Sequence, residues 1–516
     1  MNLRTMLLQA AERNPYAEAL VEQERRLTYE AWTRQVTCLA DSFAALGIRH
    51  GDRVAISMRN SIEFATSLYA TQMLGAVAVP FNFRLKAETI DYVWRDSDAQ
   101  LVIVDSAIPT PVLGEALGRN PQIRIAATPD AALEGAMSLV DLVESGSDRL
   151  HNDIGEDDLS MIVYTSGTTG RPKGVPLTQR ENYGRLVTYI MTTGPYFDSG
   201  AKTLGAAPLY HTVGIHWVFL QTIFVNGTYY PVAKVDGQTW RFIDKEGITF
   251  IFGSPTLLRQ VLNASSQKME SVRYVAYGSA PTEQNLLDEM FEKFPNSNIS
   301  EVYGTTEVSI PFVTPSMKGR KPGTLRPTGD HRIRLVQAGF AADNVVGLGE
   351  VGELIVDMDN PGIFSGYWGE GAATKTAERV RDGWFYTGDL FRRDAGRNYN
   401  FLGRLDDMFV SGGENIQPVE VETVLGSHPG VADVAVIGTP VPDWGQQVTA
   451  FIVRSEPSLT EDVLDAFCKC SALENFKRPR KYVFLEEIPR NPSGKIVRSD
   501  LHELFSQIIR DSQTGD

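Results

Sequence analysis

The chain has 516 residues, a formal net charge of −15 and a pI near 5.1. That balance excludes a general nucleic-acid or anionic-membrane binder, since both need a basic face. With 42% hydrophobic and 22% charged residues, the length predicts a soluble globular protein of more than one domain.

The N-terminal stretch MNLRTMLLQAAERNPYAEAL carries no apolar segment long enough for a signal peptide. No run approaches the roughly 20 apolar residues of a membrane span. The terminal DSQTGD carries no peroxisomal or prenylation signal. A cytoplasmic location is expected. RVAISM (53–58), AVAVPF (76–81), QLVIVD (100–105) and SMIVYT (160–165) are short apolar runs of the kind that form buried parallel strands. Helical patterns such as SIEFATSLYATQMLG (61–75) lie between them, and TFIFGS (249–254) and RYVAYGS (273–279) repeat the theme. This alternation predicts layered α/β structure. From about residue 350 the texture changes. VGELIVD, GWFYTGDLF and NYNFLGR alternate as antiparallel strands do. The last hundred residues read helix, strand, strand, helix (VEVETVLGSHP, VADVAVIGTP, QVTAFIVR, LTEDVLDAFCKCSAL), enough for a small domain of their own. The expected fold class is α/β: a large N-terminal domain of layered α/β subdomains with a β-rich part over 1–403, and a small mobile α+β domain over 404–516. Cys38, Cys468 and Cys470 are too few, and odd in number, for a disulfide framework. Cys468-Lys-Cys470 has the wrong spacing for a zinc knuckle, so no metal is expected there.

The densest chemistry is YTSGTTGRPKG (164–174), directly after a strand-like run. Gly167, Gly170 and Gly174 permit close backbone approach. Thr165, Ser166, Thr168 and Thr169 offer hydroxyls, and Lys173 adds a point charge. Such a loop presents donors to an anion, with phosphate as the natural guest. It is not a Walker A loop, because Gly170 is followed by Arg-Pro-Lys-Gly and not by Lys-Ser/Thr.

Four more stretches follow in order: YGTTE (303–307), YTGDL (386–390), GRLDDMFVSGGENIQPVEVE (403–422) and NPSGKIVR (491–498). Together with the loop, they resemble the adenylate-forming superfamily of acyl-CoA synthetases, luciferases and peptide-synthetase adenylation domains. The resemblance implies an enzyme that joins a carboxylate to ATP as an acyl-adenylate, releases pyrophosphate, and then lets a thiol displace AMP. It implies that Thr165 to Lys173, with Ser166, Gly167, Thr168, Thr169 and Gly170, holds the outer phosphates. Thr306 would touch the α-phosphate and Glu307 would hold Mg2+. Tyr303, with Gly304 and Thr305 beside it, would face the adenine, and Gly278, Ser279 and Ala280 would lie on the other side. Asp389 and Arg404 would take the ribose. Lys495 resembles the mobile lysine that bridges carboxylate and α-phosphate, where an ammonium lowers the repulsion of two anions. Asp406 resembles the hinge about which the small domain swings between two poses.

Within the superfamily, FNFRLKAE (81–88), PLYHTVG (208–214), DWGQQVTAF (443–451) and NFKRPRKY (475–482) look closest to bacterial 4-chlorobenzoate and benzoate CoA ligases. By that likeness Arg84, Trp444, Phe476 and Arg478 would contact coenzyme A, and Gly412 and Gly413 would line the tunnel for its thiol. His211 would lie beside the substrate carboxylate. Ala207, Thr188 or Tyr189, Phe252, Gly278, Val302, Ser309 and Ile310 would line the acid pocket. These pocket residues are small or apolar with no Arg or Lys, which disfavours a dicarboxylate. The expected substrate is an aromatic acid of benzoate type. The alternatives are a medium-chain fatty acid, or the loading of a carrier protein. ATP, Mg2+ and coenzyme A are the implied cofactors and co-substrates, the partners are small molecules, and the resemblance allows a homodimer.

Overall fold

The computed structural model describes the whole chain except residues 1, 150–152, 166–170, 265–266, 330, 361, 442–444, 472, 491–494 and 515–516, and the side chains of 195 and 511–514. Ser166, Gly167, Thr168, Thr169, Gly170 and Trp444 therefore lie outside the described residues.

Two large sheets dominate. The first has seven strands in the order Met137–Ser138, Arg124–Ala127, Ala99–Val104, Arg53–Ser57, Val77–Pro80, Leu159–Thr165 and Lys173–Thr178. Every neighbouring pair is parallel except the last, which is antiparallel. The second has eight strands: Ser309–Thr314, Asn298–Thr305, Tyr274–Gly278, Phe250–Gly253, Lys202–Gly205, Thr228–Pro231, Glu18–Glu22 and Arg25–Thr28. Its interior is parallel and its two outer pairs are antiparallel. The near-continuous apolar runs in the sequence exist because these strands are covered on both faces. The helix Ile62–Met73 is buried at every position except Glu63, which is why its pattern shows no clean amphipathic stripe.

A five-stranded antiparallel sheet follows, with Trp384–Arg393 pairing both Val351–Asp357 and Tyr399–Arg404. Its last strand ends at Arg404, and the next hairpin, Phe409–Ser411 with Glu414–Ile416, packs into a separate core. That core joins the helices Pro418–Gly426 and Glu461–Cys470 to a three-stranded sheet of Val431–Val441, Gly445–Arg454 and Lys481–Leu485. Cys468 is part of this core, with its sulfur 4.0 Å from the Tyr482 hydroxyl, and Cys470 is exposed.

The helix Gln179–Thr193 starts with a capping box, in which Thr178 accepts from the Glu181 N–H and Glu181 accepts from the Thr178 N–H. Such a cap is worth about 1 kcal/mol. The segment Val213–Leu220 is a π-helix, a wide turn that is frequent at functional sites. It can lie where it does only because residue 214 is glycine. A Cβ there would sit 2.0 Å from the Pro208 carbonyl oxygen. Gly214→Ala is expected to lower stability by roughly 1–3 kcal/mol through overpacking, seen as a lower melting temperature. An unchanged melting temperature would show that Pro208 to Gly214 can relax freely.

Candidate active site

A cavity of about 480 Å3 opens where the carboxyl ends of the strands of both sheets converge. From the second sheet come Ala206 and Ala207 after Lys202–Gly205, Gly253 and Ser254 at the end of Phe250–Gly253, Ser279 after Tyr274–Gly278, and Thr305 and Thr306 at the end of Asn298–Thr305. From the first come Arg59 and Asn60, Phe83 and Arg84, and Thr165. Ligands of open α/β sheets bind at this edge because successive crossovers leave a crevice there. The small C-terminal unit closes the cavity with Arg490 and Lys495.

Lys495 lines the cavity with its side chain exposed into it, in the field of Asp389, Glu307 and Asp407, with Arg404 opposing. Desolvation by the surrounding protein lowers its pKa from the usual lysine range, and the three carboxylates act against that shift. His211 lies nearby, half-buried, with its Nε2 shut off from solvent. Burial first, and Lys495 second, bring its pKa down to about 4, so the imidazole is neutral at physiological pH. Its Nε2 has no hydrogen-bond partner among the described residues, a buried polar atom left for a ligand.

Asp389 and Arg404 stand opposite each other in register on adjacent strands, with Arg404 Nε 3.3 Å from Asp389 Oδ1. The Tyr303 hydroxyl donates to the other Asp389 oxygen. Burial raises the Asp389 carboxyl, and Arg404 leads the groups that counter it. The Tyr303 ring is packed by Phe312, Phe391 and Phe401 at centroid distances of 5.8, 5.0 and 6.0 Å. Tyr303 is half-buried against these aromatics and is not among the residues that line this cavity.

Glu307 follows Thr306 and accepts a 2.9 Å hydrogen bond from the Tyr367 hydroxyl. The Lys173 ammonium lies 5.2 Å from the centroid of the Tyr367 ring, and Trp368 N–H donates to the Gly174 carbonyl at 2.8 Å. The Tyr367-Trp368 pair therefore clamps the end of the phosphate-type loop and aims Glu307. Lys173 and Gly174 lie not in an open loop but on a strand paired with Leu159–Thr165, with Thr165 opposite Lys173. Among the described residues no group of three or more His, Cys, Asp and Glu side chains could hold a metal. A single carboxylate beside a phosphate site fits Mg2+, which keeps its waters and takes phosphate oxygens in place of a protein cage.

On the acid side, Tyr189 lines the cavity and Thr188 does not. The Thr188 hydroxyl bonds back to the Gly184 carbonyl at 3.1 Å, since successive helical residues face about 100° apart. Tyr189 stacks on Trp217 at 5.2 Å and 15°, and its hydroxyl meets Ser309 Oγ at 2.9 Å. Ala207, Phe252, Val302, Ser309 and Ile310 all line the cavity. Gly278 and Ala280 do not, while Ser279 between them does, held at φ 73°. The wall has the small and apolar character expected. The cavity as a whole does not lack cations, because Arg59, Arg84, Lys234, Arg490 and Lys495 also line it. Arg59, Lys234 and Arg490 come from outside the motif-bearing stretches of the sequence, and only the topology assembles them. Arg59 is bound to Asp105, Ser106 and Asp130.

Of the described residues expected to hold coenzyme A, only Arg84 lines the cavity. Arg84 is at the cavity, exposed beside the Phe83 ring. Arg478 is ion-paired with Asp465 inside its own unit and is not turned out toward a phosphate. Phe476 is 42% exposed. Gly412 and Gly413, at φ 58° and 88°, form the exposed tip of a hairpin away from the cavity. In this arrangement Lys495 lines the cavity, and Gly412 and Gly413 do not.

A family model described as "AMP-binding enzyme" matches residues 7–368, and one described as "AMP-binding enzyme C-terminal domain" matches residues 420–495. The chain belongs to the AMP-binding enzyme family. This AMP-binding enzyme is 34% identical to a 4-chlorobenzoate–CoA ligase of Arthrobacter sp, over 96% of this chain and 93% of the relative. It is 32% identical to a long-chain-fatty-acid–CoA ligase of Mycobacterium tuberculosis, over 98% of this chain and 99% of that one. The anthranilate CoA ligase AuaEII, solved in complex with anthranoyl-AMP, superposes with a TM-score of 0.89 at 25% identity, covering 99% of this chain and 98% of that chain.

Proposed function

We infer that this AMP-binding enzyme is an ATP-dependent acid–CoA ligase acting on an aromatic carboxylic acid. The observation that carries the reading is the Lys495 ammonium lining the cavity in the field of Glu307, Asp389 and Asp407, beside a neutral, half-buried His211. A carboxylate oxygen attacks the α-phosphorus of ATP, and the bond to the β-phosphate oxygen breaks to release pyrophosphate. Lys495 lowers the repulsion between the two anions, and Thr306 meets the α-phosphate. Lys173 and the loop before it take the outer phosphates. Glu307, oriented by Tyr367, would hold Mg2+, which when bound neutralises phosphate charge. Asp389 and Arg404 receive the ribose. The thiol of coenzyme A then attacks the acyl carbon, loses its proton, and AMP leaves with the bonding electrons. For this step the small unit turns about Asp406 and brings Gly412 and Gly413 toward the site, with Arg84 at its mouth. Held by that turn, residues 1–403 and 404–516 act as the two working bodies. A need for ATP and coenzyme A together supports a cytoplasmic location.

Support for an aromatic acid comes from the stacked Tyr189–Trp217 wall, with Phe252 6.0 Å from Trp217, and from the names of the relatives. The fatty-acid relative favours an alkyl acid as the second reading. The test is pyrophosphate release with ATP, Mg2+ and coenzyme A across benzoate, 4-chlorobenzoate, 4-hydroxybenzoate, cyclohexanecarboxylate, octanoate and malonate. One aromatic acid is expected to lead the non-aromatic ones by at least about tenfold in kcat/KM, the scale of pocket discrimination between apolar groups. Preference for octanoate or malonate would sink the aromatic reading and leave the ligase reading standing.

A further inference from the structure

The helix Gln179–Thr193 carries an arginine whose side chain is wholly buried. Arg185 is 0% exposed, and its guanidinium spends its donors on backbone carbonyls. Nε donates to Gly362 O at 2.6 Å, and Nη2 donates to Thr306 O at 2.8 Å and to Glu307 O at 3.3 Å. Nη1 is buried with no hydrogen-bond partner among the described residues. A guanidinium held like this is expensive, because its charge is desolvated and only partly compensated. An apolar residue would serve the packing better. What only this group can do is reach two loops at once through a rigid fork.

The two loops matter. Thr306 and Glu307 are the residues read above as the α-phosphate contact and the Mg2+ carboxylate. They lie in a tight irregular turn, where a Cβ on Gly304 would meet Ser309 O at 2.1 Å and Ser309 itself sits at φ 63°. Gly362 begins the segment that donates Phe364 N–H to Glu307 O at 3.0 Å and leads to Tyr367, whose hydroxyl holds the Glu307 carboxylate. Gly362 lies against Arg185 so closely that a Cβ there would be 2.6 Å from Arg185 Cγ. One helical turn on, Tyr189 holds the Ser309 hydroxyl from the same side.

We propose that Arg185 is a positioning residue, which fixes Thr306 and Glu307 against the Gly362–Tyr367 segment for adenylate formation. The proposal rests on the roles read above for Thr306 and Glu307. Arg185 touches no reacting atom and acts through the carbonyls it holds.

The test uses the full chain with Arg185→Met, Arg185→Lys and, as reference, Glu307→Gln. Three properties are measured: melting temperature, ATP affinity by titration calorimetry with and without Mg2+, and the two half-reactions separately. Arg185→Met is expected to lose about tenfold or more of the Mg2+-dependent gain in ATP affinity. Its adenylate formation should fall about 10–100-fold in kcat, the scale of an ångström-sized misplacement, with KM for the acid little changed. Attack of coenzyme A on supplied acyl-adenylate, which needs neither pyrophosphate nor metal, should stay within about threefold. Arg185→Lys keeps the charge and loses the fork, so it should fall between wild type and Met, and it carries the test if Arg185→Met does not fold. Equal losses in both half-reactions with the Mg2+ gain intact would mean that Arg185 only supports the fold, and would overturn the proposal. So would variants with wild-type behaviour. If Glu307→Gln keeps the full Mg2+ gain, the reading of Glu307 fails and the proposal fails with it. If Glu307→Gln loses the gain and the Arg185 variants do not, the proposal alone fails.

Discussion

Lys495→Ala lowers the rate of adenylate formation by about 10²–10³, the scale of one lost transition-state charge contact, while attack of coenzyme A on supplied acyl-adenylate stays within a few fold. The asymmetry follows from position. The ammonium lines the cavity in the field of Asp389, Glu307, Asp407 and Arg404, where a bound acid and ATP would displace water and let its charge act strongly. It neutralises two anions only while the carboxylate and the α-phosphate are being joined. The pH dependence has a defined sign. Desolvation by the surrounding protein lowers the pKa of Lys495 from its ordinary 10.5. The required ammonium is present below that lowered pKa and is lost as pH rises through it. Adenylate formation should therefore fall at alkaline pH earlier than an ordinary lysine would dictate, and the thioester step should lack that limb. His211, neutral down to about pH 4, adds no limb near neutrality. Stopped reactions on each half-reaction, from pH 6 to about 10, give the answer. Equal loss in both steps would remove Lys495 from the role assigned to it.

Asp406→Pro separates the two half-reactions in the opposite sense. Arg404 ends the strand that pairs with Asp389, and Phe409 begins the hairpin of the small unit, so the chain between them is the link. Asp406 is in that link, side chain 43% exposed and 3.2 Å from Arg379 of the large unit. A proline locks φ and restricts the residue before it. With Lys495 already inward, the lock should retain the adenylating pose. Adenylate formation is then expected within about threefold of wild type, and thioester formation should fall by more than about tenfold. Mild, symmetric losses would mean that the rotation is spread along the chain and not centred on Asp406.

Much of the site was legible in the chain because its chemistry is written in short local patterns. A Gly/hydroxyl loop after an apolar strand, and a Gly-Lys near the end, place donors and charges without any knowledge of their surroundings. Thr306, His211 and Lys495, named from the resemblance that their motifs carry, all line one cavity. The choice between Thr188 and Tyr189 was not legible, because the helix phase is set by the Trp217 ring that Tyr189 stacks on. Tyr303 could not be seen to be packed by three aromatic residues, one of them 98 positions away along the chain, Phe401. Arg478 could not be seen to be taken by Asp465, because a pattern of basic residues does not reveal the neighbouring helix.

The sequence by itself determined the alternation of strands and helices, which follows from periodicity and depends on backbone geometry within a few residues. The family and the residues proposed for the reaction came from collinear motifs and the resemblance they carry. Only the tertiary structure decided which distant loops meet. The crossovers of two sheets bring Arg59, Arg84 and Lys234 to one cavity, the small unit adds Arg490, the segment after Gly362 puts Tyr367 on Glu307, and the helix Gln179–Thr193 buries Arg185 behind Thr306. Burial and pairing are properties of neighbours in space, and a buried guanidinium held by carbonyls from residues more than a hundred positions away leaves no local mark in the chain.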